Sequence, residues 1–419
     1  MKKSIKRGTA VLLAAAVCST AGAGLAGCGG DDGELILWWP SGKAYISIVN
    51  DAVARFKKDN PDVKIKIMHK DIDAFDAYKF ALNDDKTRPD VAIVDHVYVQ
   101  ALAQQNQLTN LTDNGAEDIK SLFPAALYNA NVYNGDAYAL PMSANTVVLM
   151  ANNDILKECG IVDGDGNALY PTTFEELIAD CEIIKNKGKT AFAQPLNSFA
   201  VMEFTSYVSR NGGAMTADDG KTITFDDDGV VKALNNWKEL SKYANTNAYE
   251  EDKFYSGNVA FVEMGSWSLP NVTGSSARFD CGFAEMVTID SAEQNYSGLG
   301  LYSLCVARKT RNKDAAVKLA KFLATDKTVQ LAFNKEKNLF PVTDETLSDE
   351  FYTQNDAYKV FVSQLQKCTP RPATPVWPDM ELAVINMLRE VVRSSSDDFT
   401  AIIRAYQTTV QQASDRLYK

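Results

Sequence analysis

Tryptophans and hydrogen-bonding side chains gather where apolar runs end. Trp39 and Ser41 follow Leu35–Leu37, Asp95 and His96 follow Val91–Val94, and Asn145 lies just beyond Leu140. Trp267 follows Val259–Met264, Tyr302 opens a later apolar run, and Arg371 and Trp377 stand in a Pro-rich segment. Flat aromatic rings can cover the C–H faces of a sugar, while carboxylates, amides and guanidinium groups hold its hydroxyl edges. The sequence contains only two histidines, His69 and His96, and no H-E-x-x-H, G-x-S-x-G or CxxC spacing. Zinc chemistry and a motif-borne hydrolase are therefore not indicated, and no metal or cofactor is expected. A carboxylate-pair glycosidase stays open on residue counts alone, as do a surface adhesin and a binder of a non-sugar solute.

The elements that must position these residues alternate. Glu34–Trp39 reads as a buried strand ended by Pro40-Ser41-Gly42, and Ile46, Val49, Val53 and Phe56 recur at helical spacing up to Asn60-Pro61. Val63–Met68 alternates with period two, Asp90–Asp95 is a second buried strand, and a helix through Val99, Leu102 and Ala103 follows. This order predicts an α/β fold with a mixed, mostly parallel sheet flanked by helices. At Tyr138–Pro141 the chain is expected to break, and the pattern restarts at Val147–Met150. Helices are expected at Thr173–Lys187, with a capping-box start, and at Ser198–Asn211, Asp228–Tyr243 and Tyr249–Ser256. Strands at Val259–Met264 and Tyr302–Ala307 and helices at Asp314–Ala324, Asp379–Arg393 and Phe399–Leu417 complete the chain. In open α/β sheets ligands bind beyond the carboxyl ends of strands, where most of the candidates stand.

The chain has 419 residues, 46% of them hydrophobic, which suits two or three folding units and excludes global disorder. Its net charge of −11 disfavours nucleic acid as a partner. Residues 1–27 form a basic start, a short apolar run and Leu25-Ala26-Gly27 before Cys28. That is the layout of an export signal, too short for a membrane span. These residues carry four of the 43 basic and none of the 54 acidic side chains, so the charge beyond them is −15. Cys159, Cys181, Cys281, Cys305 and Cys368 are odd in number, so at least one is unpaired within the chain; Cys181 and Cys305 read as buried small hydrophobes.

Several stretches together resemble one family. Leu25-Ala-Gly-Cys28 looks like a bacterial lipobox, followed by a polar tether, 28–33. Leu37-Trp-Trp-Pro-Ser-Gly42, Phe56-Lys-Lys-Asp-Asn-Pro61, Phe254-Tyr-Ser-Gly-Asn-Val-Ala-Phe-Val-Glu-Met-Gly-Ser-Trp267 and Arg371-Pro-Ala-Thr-Pro-Val-Trp377 resemble the extracellular solute-binding proteins of bacterial ABC importers, of the carbohydrate-binding type that includes maltose-binding protein. The resemblance implies a periplasmic-binding-protein-like fold of two α/β lobes, each a mostly parallel sheet, with the ligand between them. Its expected boundaries are 34–141 plus 303–340 for one lobe and 146–296 plus 344–419 for the other, with hinges at 142–145, 297–302 and 341–343. It further implies an exported monomer without catalysis, held by lipid on Cys28 to the outer face of the cytoplasmic membrane, that delivers a carbohydrate to permease subunits. Trp39, Ser41, Asp95, Asn145, Trp267 and Trp377 are the expected contacts, with His96, Glu203, Tyr302 and Arg371 behind them. Trp267 and Trp377 would stack on sugar faces. Asn145 stands where maltose-binding protein has a sugar-binding Glu, and Phe261 replaces a usual Met, so maltose itself is not implied.

Overall fold

The computed structural model describes residues 33–72, 75–244, 251–289 and 294–418. The export signal and Cys28 lie outside these residues, as does part of the stretch expected to be helical at Tyr249–Ser256. Twelve strands are described: β1 Leu35–Trp39, β2 Ile65–His69, β3 Val91–Asp95, β4 Val132–Tyr133, β5 Asp136–Ala137, β6 Ala139–Asn145, β7 Val147–Asn152, β8 Thr190–Ala193, β9 Val259–Gly265, β10 Cys281–Ala284, β11 Ser297–Val306 and β12 Cys368–Pro370.

The first sheet runs β12-β11-β3-β1-β2, with β6 also on β11. Its β1–β2, β1–β3 and β11–β12 pairings are parallel, and β11 lies antiparallel to β3 and β6. The second sheet runs β10-β7-β9-β8. Only β8–β9 is parallel there, so the mostly parallel expectation fails for this half. The reason is local: β6 passes through Thr146 straight into β7, so the chain enters the second sheet without a crossover helix, and such links do not impose parallel strands.

Side chains alternate across both sheets, as the strand period requires. In the first, Leu35, Leu37, Trp39, Val91 and Ile93 enter the largest core, while Ile36, Trp38, Ala92 and Val94 enter a smaller one on the other face. In the second, Val148, Met150, Val262 and Met264 join the largest core, and Leu149, Ala151 and Phe261 join a third with Trp237 and Val384. Each sheet is therefore covered on both faces, which makes two α/β lobes.

Pro141 does not break the chain. It lies inside β6, where the register with β11 slips between Tyr302 and Ser303, so Ser143 faces Tyr302 and Pro141 faces Ser303. A bulge tolerates the missing proline N–H. The Thr173 capping box forms as the sequence implies, and the helix runs Phe174–Asn186. The five cysteines beyond Cys28 are all free, with Cys181 and Cys305 fully buried. Among the described residues no helix is long and apolar enough to cross a membrane.

Candidate functional site

A cavity of about 600 Å³ opens where the ends of β3, β6 and β9 meet the middle of β11. The first sheet contributes Asp95 from the end of β3, Tyr98 just beyond it, Asn145 from the end of β6, and Gly300, Leu301 and Tyr302 from β11. Trp267 enters from the turn after β9, and Phe199 and Met202 from the Ser198–Arg210 helix.

Aromatic rings line the cavity in pairs. Phe75 and Tyr98 stack at 3.7 Å with 8° between their planes. Trp267 meets Phe199 edge-on at 5.5 Å and 89°. Lys337 Nζ lies 5.6 Å from the Tyr302 ring and 6.0 Å from the Tyr45 ring, tying the end of the Lys327–Lys337 helix to a third aromatic patch.

The same cavity holds a charged set. Arg371 Nη2 donates to both Asp95 oxygens, at 2.8 and 2.9 Å. Burial pushes the Asp95 carboxyl up, but the Arg371 charge and the bonds from His96 and Arg371 outweigh it and hold the group well below the usual carboxylate range. Tyr98 donates its hydroxyl to Glu381 Oε2 at 3.2 Å. Burial raises the Glu381 carboxyl; Asp95 adds to the shift, while Arg371 and the Tyr98 hydroxyl oppose it. A carboxyl raised by folding contributes stability below its unfolded value and loses it as pH rises through the folded value. Glu381→Gln is therefore expected to raise the melting temperature by about 1–3 °C at pH 8 and to leave it unchanged at pH 4, as read by thermal unfolding. An equal change at both pH values would refute this.

Asp95, Asn145, Trp267, Tyr302 and Arg371 are thus brought together. The other expected contacts are not. Trp39 is wholly buried: with Leu35 and Leu37 it faces the largest core, its ring 5.1 Å from Phe333 and its Nε1 donating to the Tyr45 carbonyl. Trp377 opens the Trp377–Arg393 helix on the stripe Met380, Val384, Met387 and Val391, so it enters the third core instead of the cavity. The convergence of Trp39, Trp267 and Trp377 is therefore corrected to Trp267 alone. Ser41 is exposed before the Lys43–Asp59 helix; Tyr45, a turn later, reaches the cavity. His96 sits behind Asp95, its Nδ1 3.0 Å from Asp95 Oδ1 and 3.1 Å from the Leu301 carbonyl, and burial lowers its pKa. Glu203 is 1% exposed; Ser198, Phe199 and Met202 take the cavity face of its helix.

Tyr45, Phe75, Phe199 and Glu381 were not foreseen. Each stands within the first five residues of a helix or at its start, where amphipathic spacing reads as core. The available signal was an aromatic or acid in the opening turns of a helix that follows a strand.

The bacterial extracellular solute-binding protein family matches residues 51–360. Among curated relatives, the maltotriose-binding protein of Pyrococcus abyssi is 24% identical, over 91% of this chain and 82% of its own. The galactooligosaccharide-binding protein of Bacillus subtilis is 23% identical, over 96% and 95%. Among solved structures, the cyclic α-maltosyl-1,6-maltose binding protein from Arthrobacter globiformis superposes with a TM-score of 0.78 at 22% identity, covering 91% of this chain and 99% of its own. UgpB from Mycobacterium tuberculosis, in complex with glycerophosphocholine, gives 0.76 at 20%, covering 94% and 100%.

Proposed function

Because the chain belongs to the bacterial extracellular solute-binding proteins, we propose that it captures a sugar or short oligosaccharide in the cleft between its lobes and delivers it, unaltered, to an ABC permease. The observation that carries this is the cavity itself, lined by the rings of Trp267, Phe199, Tyr98, Phe75 and Tyr302 together with Asp95, Asn145, Arg371 and Glu381. Rings cover apolar sugar faces, and the amide and charged groups take hydroxyls. Relatives named for maltotriose and galactooligosaccharides favour the same ligand class.

Contacts drawn from both lobes make a bound ligand favour the closed arrangement, because a ligand shifts a conformational equilibrium only by its differential affinity. Of the crossings proposed as hinges, 142–145, 297–302 and 341–343, the first two pair directly, Asn145 with Gly300 and Ala144 with Leu301. Ala144 also exchanges backbone hydrogen bonds at 2.8 and 2.9 Å with Phe340, next to the third. Lobe boundaries at 34–141 plus 303–340 and 146–296 plus 344–419 follow from that reading. The Cys28 thiol is proposed to carry lipid, holding a monomer at the outer membrane face; Cys28→Ala that stays membrane-bound would refute the anchor.

The test is thermal unfolding and titration calorimetry of the purified protein with malto- and galactooligosaccharides, and with glycerophosphocholine as the non-sugar arm. A glycan that raises the melting temperature, binds one to one and is recovered intact supports the reading. Turnover would make the protein an enzyme, and binding of only the phosphodiester would replace the ligand class.

A further inference from the structure

Strand β11 carries glycine at two of three successive positions on one face: Gly298, Gly300 and then Tyr302, which lines the cavity. Gly298 receives the Ser198–Arg210 helix. Its N–H donates to Ser206 Oγ at 2.7 Å, and a Cβ there would lie 2.6 Å from the Met202 carbonyl oxygen. Gly300 has a different neighbour. It is the cross-strand partner of Asn145, whose side chain folds over it. A Cβ on Gly300 would lie 1.9 Å from Asn145 Oδ1, 2.5 Å from Cγ and 2.7 Å from Nδ2. Rotating the amide by 180° leaves the clash in place, since both polar atoms are too close.

Asn145 is 7% exposed and lines the cavity. No hydrogen bond from a described residue reaches its amide, so two donors and an acceptor remain for whatever fills the space. Its backbone is fixed at the end of β6 in a paired register, so the amide can leave its place only by rotating about its own side-chain bonds.

We infer that Gly300 is a positioning residue of the binding site: by lacking a side chain it lets the Asn145 carboxamide lie flat on β11 and present its hydrogen-bonding groups to the ligand. The inference rests on the carbohydrate reading for its ligand, but its geometry does not. A methyl group at position 300 lifts the amide off β11 into the space the ligand needs, and both fit and hydrogen bonds suffer.

The test has two arms. The ligand-free crystal structure of Gly300→Ala is expected to show the Asn145 side chain in a new rotamer, with β11 and β6 still paired; an unmoved amide overturns the inference whatever the protein binds. In calorimetry with the best glycan of the panel, Gly300→Ala and Asn145→Ala are each expected to bind about ten-fold more weakly. The double variant should be no weaker than Asn145→Ala alone, because Gly300 acts only through that amide. Multiplied losses, or unchanged affinity in Gly300→Ala, would mean that Gly300 does not position Asn145. Should Gly300→Ala fail to fold, Gly300→Ala/Asn145→Gly, which removes the clashing group, is expected to fold and to bind like Asn145→Gly; failure of that variant too would assign Gly300 to backbone packing and overturn the inference. If no glycan binds the native protein, the proposed ligand class falls, and the crystallographic arm still decides the positioning.

Discussion

Replacing Trp267 with alanine is expected to weaken ligand binding by about 100-fold while costing the fold little. The ring is held before any ligand arrives. It lies directly over Gly265, where a Cβ would come within 1.8 Å of ring atom Cζ3, and its edge contact with Phe199 fixes its tilt. A rigid, half-buried indole facing a cavity loses little entropy on binding, so most of its contact area contributes to affinity. Trp267→Phe should retain part of the affinity, because a smaller ring still covers one face of the guest. The same residue gives a direct optical readout. Trp38, Trp39, Trp237 and Trp377 are buried at 6% exposure or less, so a change in tryptophan emission on adding ligand should come from Trp267 and vanish in Trp267→Phe. An affinity within two-fold of the native value in Trp267→Ala would remove this side chain from the site.

Trp267 also shows what the sequence could reveal. Its spacing after an apolar run placed it at a strand end, and it sits there. Trp39 satisfied the same rule yet is core, because it is the last residue of β1 itself and period-two alternation turns its ring toward the face of Leu35 and Leu37. Trp377 was read from a loop motif, but the helix starts at that residue, and its 3.6-residue period carries the ring inward. Strand-end position therefore marked where candidates gather, while the direction of each side chain depended on strand alternation at Trp39 and on a helix that starts at Trp377, before the expected Asp379. The strands Leu35–Trp39, Ile65–His69, Val91–Asp95 and Val259–Gly265 were legible because burial and periodicity are local, whereas β6 was read as a break at Pro141. The antiparallel second sheet and the pairing of β6 with β11 were not legible, since they depend on contacts across more than a hundred residues. The Asp95–Arg371 pair was foreseen as two separate contacts. Their mutual bond spans 276 positions and carries no local signal.

That pair supports the second large effect. Arg371→Leu is expected to destabilise the protein by about 3 kcal/mol at neutral pH, measured by denaturant unfolding. The loss arises because a largely buried carboxylate is left without its cation. In the native protein Asp95 has a depressed pKa, so its contribution is present above the unfolded value of about 3.9 and fades as pH falls toward the folded one. In the leucine variant burial still disfavours the charged carboxylate and only His96 is left to oppose it, so the Asp95 pKa moves upward and less stability is gained on ionisation. The gap between the two proteins should therefore be wide near pH 7 and narrow as pH falls below the unfolded value of about 3.9. Adding Asp95→Asn to Arg371→Leu removes the stranded charge and should recover a large part of the loss. The pair also links the halves of the molecule: Asp95 ends a strand of the first sheet, while the Arg371 guanidinium lies 5.7 Å from the ring of Trp377, which is anchored in the core of the second. A double variant as unstable as Arg371→Leu alone, or a gap that does not change with pH, would show that Arg371 stabilises by packing and not by holding Asp95 ionised.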